Sequence, residues 1–282
     1  MEEIKVIANQ TFSQERALYN TQNAIVENCR FEGEEDGESF LKESENIIVR
    51  NCFMDLRYPM WHVDNITLTD CKMTANCRAA LWYDKNVRIE NCLLCGIKAL
   101  RECEDIILKD VIADSPEFAW RCKEIKVFGG KINSEYAFFE SKDIQVKDLN
   151  FTGKYSFQYT ENLNIANSRL NTKDAFWHAR NVKVEDSELN GEYIGWYSDG
   201  LTLINCRIKG TQPFCYCKNL RLINCVMEDC DLAFEYSDVD ADVLGEILSV
   251  KNPKSGKIVA DGYGEIILSS SKYPSKAQII KR

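Results

Sequence analysis

Residues 174–206, DAFWHARNVKVEDSELNGEYIGWYSDGLTLINC, state one pattern twice: FWHARNVKVEDSEL, from Phe176, returns 19 residues later as GWYSDGLTLINCRI, from Gly195. Each copy carries an aromatic pair, Trp177 with His178 and then Trp196 with Tyr197, and runs on into an apolar-x-apolar pair, Val182 and Val184 or Leu201 and Leu203. Alternation of period 2 reads as a short strand. Asp186 or Asn205 follows, a residue type that tolerates the left-handed backbone of a tight bend.

The phrase extends in both directions, with starts at Asn23, Asn46, Asn65, Asn86, Asp105, Glu124, Asp143, Asn162, Asn181, Gly200 and Asn219. From Asp105 onward every step is 19 residues. Past the bend comes a small or apolar residue, among them Cys29, Cys52, Cys71, Cys92, Ser168, Ser187, Cys206 and Cys225. Two positions on lies an apolar one such as Phe31, Met73, Ile132, Leu170 or Met227, and both positions are predicted to face inward. A unit this short cannot bury its own apolar face, so successive units must stack with like residues over like. Helical repeats need longer periods, and leucine-rich repeats space Leu and Asn differently. The expected fold is therefore all-β, a single-stranded parallel β-helix of about eleven coils, right-handed by the general preference of parallel crossovers. At about 4.8 Å per coil the rod would be on the order of 50 Å long.

One domain, 1–282, is expected, with coils over 23–237. Residues 1–22 are read as an N-terminal cap in which Ser13 starts a short helix through SQERALY. Residues 238–282, where the register fades, are read as a C-terminal cap, since open sheet edges need cover.

Totals narrow the function. A net charge of −9 with no basic run argues against nucleic acid as a partner. No segment has the roughly 20 apolar residues of a membrane span, and the acidic start MEEIKVIANQ lacks a signal-peptide pattern, so a cytoplasmic location is expected. In that compartment the 13 cysteines read as free thiols. Cys92 and Cys95 have zinc-ligand spacing, but Cys92 belongs to an inward column and no matching second pair exists. Neither a metal nor another cofactor is expected.

In a stacked fold each slot of the repeat becomes a column. Leu41, Met60, Leu81, Leu100, Ala119, Phe138, Phe157, Phe176, Gly195 and Phe214 form one with no polar member, hence interior. Two neighbouring columns differ. One holds Trp61, Trp82, Arg101, Trp120, Phe139, Gln158, Trp177, Trp196 and Cys215; the other holds His62, Tyr83, Glu102, Arg121, Glu140, Tyr159, His178, Tyr197 and Tyr216. Because an Arg and a Gln inside a dry solenoid would lack partners, both columns are expected outside. Aromatic faces there would suit flat apolar rings or the CH faces of sugars, with the charged members and histidines supplying polar contacts. The alternative is a stack that stabilises the sheet or meets a second copy in a homo-oligomer. Glu102 and Glu140, two coils apart, are the candidate catalytic carboxylates, with Arg121 between them. Arg121 would lower both carboxyl pKa values, the wrong direction for a general acid. Arg57, Arg78, Lys98 and Arg101 on early coils are a candidate cluster for an anionic ligand such as a uronate or phosphate.

The stretches ERALY, EDGESFLKE, LRYPMWH, RAALWY, GIKALREC, SPEFAW, GKYSFQY, TKDAFWH, GTQPFCYC and DLAFE, in this order along nearly the whole chain, resemble a bacterial family defined by domain of unknown function 3737. The resemblance implies a right-handed β-helix related in shape to pectin lyases and brings no established activity. The sequence departs from the family pattern at Phe40 and Ala119. The family's motifs coincide with the aromatic columns, which favours a ligand groove there. The clustered aspartates and His of β-helix polygalacturonases, or the Ca²⁺-binding carboxylates of pectate lyases, have no counterpart on adjacent coils.

Overall fold

A computed structural model describes residues 4–33, 38–269 and 271–282. Residues 1–3 of the expected N-terminal cap, and the EDG of one family motif, lie outside the described residues. The chain is an all-β parallel solenoid of about 14 turns. A single 3-10 turn at Ala75–Cys77 is the helix found among the described residues. None is long and apolar enough to cross a membrane.

Two compact units divide the chain, Met1–Asp143 and Ile144–Arg282. In the first, the strands Lys5–Ala8, Gln22–Glu27, Glu45–Arg50, Asp64–Thr69, Lys85–Glu90, Glu104–Lys109 and Lys123–Phe128 pair in parallel, each with the next. In the second, Glu161–Ala166, Arg180–Glu185, Asp199–Ile204, Leu220–Glu228, Asp238–Leu244, Ser255–Ala260 and Gln278–Lys281 do the same. Registers join like to like: Ile47 pairs with Ile66, and Val182 with Leu201.

Stacking explains the polar columns as well as the apolar ones. Asn65 Nδ2 donates to Asn46 Oδ1 at 2.7 Å, and Asn181 Nδ2 to Asn162 Oδ1 at 2.7 Å, so each amide serves the coil beside it. The cysteine column points inward as expected, and the Cys71 amide donates to Cys92 Sγ at 3.3 Å. All cysteines are free thiols.

Three expectations change. The coil count rises from eleven to about 14 because both supposed caps wind as coils. Lys5–Ala8 pairs with Ala24–Glu27, and the tail strands Asp238–Leu244, Ser255–Ala260 and Gln278–Lys281 extend the ladder. SQERALY forms no helix: Arg16, Leu18 and Asn20 have φ of 53°, 55° and 52°, so alternate residues are left-handed and the segment turns a corner.

Candidate functional site

The left-handed alternation of that corner recurs from coil to coil, as in Leu100 with Glu102, Ala119 with Arg121 and Phe138 with Glu140, and it builds the two columns of interest. In unit 1, Tyr58, Met60 and His62 have φ of 56°, 56° and 58°; in unit 2, Tyr155, Phe157 and Tyr159 have 46°, 57° and 55°. Alternation sends Met60 and Phe157 fully inside and leaves His62 and Tyr159 exposed. Trp61 and its equivalents lie between, half-buried.

The half-buried column is more committed to the fold than its sequence suggested. Trp61, Trp82, Trp120 and Trp196 donate their Nε1 hydrogens to the carbonyls of Ala79, Lys98, Tyr136 and Gln212 on the following coil, at 2.7–2.9 Å. Trp61 and Trp82 stack at 4.9 Å with planes 1° apart. Arg101 is held between Trp82 and Trp120, its guanidinium carbon 4.9 and 4.8 Å from their ring centres, and it bonds Glu117 at 3.3 Å. Gln158 and Cys215 are buried, against the expectation that this column lies outside. Gln158 escapes the cost of burial by donating to the Asp174 carbonyl at 2.9 Å. Trp177 differs again: its Nε1 is buried without a hydrogen-bond partner.

The outer column is exposed, and its rings pile along the axis. In unit 1, His62 stacks on Tyr83 at 4.9 Å. In unit 2 the row is longer: Tyr159–His178 at 5.1 Å, His178–Tyr197 at 5.0 Å and Tyr197–Tyr216 at 4.7 Å, with planes 7–16° apart. The expectation of open aromatic faces is thereby corrected. Rings repeating at the strand spacing cover one another's faces, so a row offers solvent its edges, hydroxyls and imidazole nitrogens.

The candidate carboxylates are an ion-pair ladder. Arg121 Nε donates to Glu140 Oε2 at 2.7 Å, and its NH1 lies 4.0 Å from Glu102 Oε1. The bond to Glu140 pushes the Arg121 pKa up further. A guanidinium occupies the space where a glycosidic oxygen and a water would sit between two catalytic carboxyls. The early cationic cluster is also largely spoken for: Arg57 pairs with Glu38 at 3.8 Å, and Lys98 and Arg101 share Glu117 at 3.5 and 3.3 Å, while Arg78 stands exposed. Among the described residues no three His, Cys, Asp or Glu side chains are grouped to hold a metal ion.

The structure brings forward residues that the sequence reading passed over. Tyr197 and Tyr216 form one wall of a cleft of about 580 Å³ completed by Lys218, Tyr236, Lys254, Lys272 and Tyr273, with the buried Cys217 at its floor. A signal was present: PFCYC at 213–217 recurs as AFEYS at 233–237, which carries the interior Phe and outer Tyr one coil further than the last Asn start. Reading the tail as a cap hid it.

Fold and surface together define a repeat-built solenoid whose outer corner presents stacked aromatic residues. The chain matches the family described as "Protein of unknown function (DUF3737)" over residues 5–281 and belongs to that family. No curated protein matches it. Similar solved structures include the A-module of the mannuronan C-5 epimerase AlgE6 from Azotobacter vinelandii (10% identity, 98% of this chain and 78% of that one, TM-score 0.34). They also include PfbA, a surface adhesin of Streptococcus pneumoniae (9%, 98% and 70%, TM-score 0.32). A third is the pentapeptide repeat protein HetL from the cyanobacterium Nostoc (11%, 82% and 86%, TM-score 0.17).

Proposed function

We propose that this protein is a binding protein for an extended, carbohydrate-like ligand that lies along the outer aromatic column, and that it does not catalyse a reaction on it. The observation that carries this reading is the exposed row Tyr159, His178, Tyr197 and Tyr216, one ring per coil on the same corner. Its hydrogen-bonding tips repeat at about the strand spacing of 4.8 Å, close to the rise of one pyranose ring in an extended chain. A ligand with one polar ring per coil can therefore meet equivalent partners at each step. The Glu102–Arg121–Glu140 ladder, in which one guanidinium stands between the two carboxylates and bonds Glu140 at 2.7 Å, supports a non-catalytic role.

Calorimetric titration with a panel of oligosaccharides tests the proposal. Binding is expected for at least one chain of several sugars, weakened about tenfold or more by Tyr197→Ala or His178→Ala, since each removes a contact of about 1–2 kcal/mol. Absence of binding across the panel, or binding indifferent to both substitutions, overturns it. A dimer that dissociates on Tyr197→Ala, seen by light scattering, would assign the row to an interface between copies instead.

A further inference from the structure

The cleft at the end of the unit 2 row gathers three lysines. On other coils several lysines are matched by carboxylates: Lys98 with Glu117, Lys109 with Glu90, Lys173 with Glu192 and Lys209 with Asp229. Lys218, Lys254 and Lys272, all exposed, line one cleft, and among the described residues none of the three has an ion pair. Asp199 stands opposite Lys218 in a backbone bridge, and neither it nor Asp238 or Glu235 forms an ion pair with a cleft lysine among the described residues. Asp199 accepts from Asn219 Nδ2 at 2.8 Å, Asp238 from the Ser255 hydroxyl at 2.6 Å, and Glu235 pairs with Lys251 at 3.0 Å. In a chain of net charge −9, three ammonium groups without an ion pair among the described residues gather around one concavity, one of them, Lys272, 5.4 Å from the centre of the Tyr273 ring.

Tyrosines complete the cleft's chemistry. The regular stack loosens here: Tyr216 and Tyr236 lie 5.3 Å apart with planes tilted by 33°, and Tyr273 meets Tyr236 edge-on at 6.1 Å. The Lys272 amide donates to the Tyr236 hydroxyl at 3.2 Å, which fixes the tail against the row and leaves the hydroxyl its own hydrogen to give. Burial pushes the Tyr216 phenol up from its ordinary value, so it too stays a donor at neutral pH. Donors and cations converge, and ring surface is available beside them.

We infer that this cleft is an anion-binding subsite, in which Lys218, Lys254 and Lys272 take the carboxylate or phosphate of a ligand whose ring lies against Tyr216, Tyr236 and Tyr273. The inference deepens the reading given under Proposed function by naming the ligand's charge; its saccharide part rests on that reading, its anionic part does not. Charge-assisted hydrogen bonds to an oxyanion are about twice as strong as neutral ones, which gives the cleft a preference rather than mere tolerance.

Titrations of the native chain with an oligouronate, a sugar phosphate, a neutral oligosaccharide of matched length and inorganic phosphate test it. An acidic sugar is expected to bind about tenfold or more tighter than the neutral one. Lys218→Ala with Lys272→Ala should abolish that advantage, while Lys218→Arg keeps it, and added salt should weaken the acidic ligand alone. The exposed positions of these lysines leave the fold intact, which circular dichroism checks. Equal affinity for acidic and neutral sugars overturns the inference and leaves the proposed function standing. Binding of inorganic phosphate with no saccharide bound, lost in the lysine variants, upholds the anion subsite and removes the saccharide reading. Failure of every probe overturns both. Whether uronate or sugar phosphate binds tighter identifies the source of the charge.

Discussion

Asp84 is the residue whose chemistry fits its surroundings least. It occupies the small inner-corner slot filled elsewhere by Ser141, Ser198 and Ser237, where a hydroxyl does two jobs. Ser141 Oγ accepts the Cys122 amide at 3.0 Å and donates to the Ala119 carbonyl at 2.8 Å. Asp84 Oδ1 accepts the Val63 amide at 2.8 Å, but Oδ2 is buried with no partner. Burial, reinforced by the Cys103 thiol, raises its pKa well above the ordinary carboxylate range. The folded chain therefore holds this proton at pH values where the unfolded chain has released it. The associated stability is complete below the unfolded pKa of about 3.9 and is lost as pH rises from there towards the folded value. Asp84→Ser should stabilise the protein at pH 7 by about 1–3 kcal/mol, the cost of an unsatisfied buried group. Thermal melts of variant and parent should converge on acidification to pH 4. A gap that stays constant between the two pH values would remove the account.

At the scale of the element, the coil's corner decides what a sequence can reveal. Asn and Asp at the bends announce left-handed backbone, and Asp186 has a φ of 47°; the strand starts adopt it too, Asn181 with a φ of 54°, which the sequence reading did not anticipate. The corner itself places Leu41, Phe157 and Phe176 in the same conformation, which no propensity signals. For such residues the conformation costs about 1–2 kcal/mol, offset by about 1.5–3 kcal/mol from burying the side chain completely. ERALY could thus be mistaken for a helix, because its compensation lies in the neighbouring coil rather than in its own sequence. Gly191 marks the limit of this tolerance. Its φ is 146°, and a Cβ there would stand 1.5 Å from the Thr172 carbonyl oxygen, while one on Gly210 would stand 1.9 Å from that of Gly191. Gly191→Ala should destabilise by on the order of 3 kcal/mol, measured by denaturant unfolding. A loss below about 1 kcal/mol, within the range of ordinary surface substitutions, would mean that the two coils part without penalty.

For the molecule as a whole, the repeat made the stacking legible while its irregular ends concealed how far stacking goes. The inward columns matched because burial forces like residues over like in every coil: Phe31, Met54, Met73 and Leu94 are all at or below 1% exposure. The first coil was missed although Asn9 and Phe12 foreshadow Asn28 and Phe31, because Ile4 stands where later coils start with a polar residue. The tail conceals its coils because the register step, 19 residues at Leu220 with Val239, becomes 17 at Val239 with Gly256 and 21 at Ile258 with Ile279. The lysine cleft depends on those last coils, so it could not be assembled from the regular part of the pattern. Nearest-neighbour stacking also fixes where stability is lowest, since a coil paired on both sides gains two interfaces and a terminal one gains one. Lys5–Ala8 pairs with Gln22–Glu27, and Gln278–Lys281 with Ser255–Ala260, with no second ladder partner among the described residues. Amide exchange in those two strands should be at least about tenfold faster than in Glu45–Arg50 or Arg180–Glu185, reflecting local opening below the global free energy. Protection of the end strands that rises with protein concentration would instead show copies joining edge to edge, and equal protection at every dilution would contradict the stacking argument.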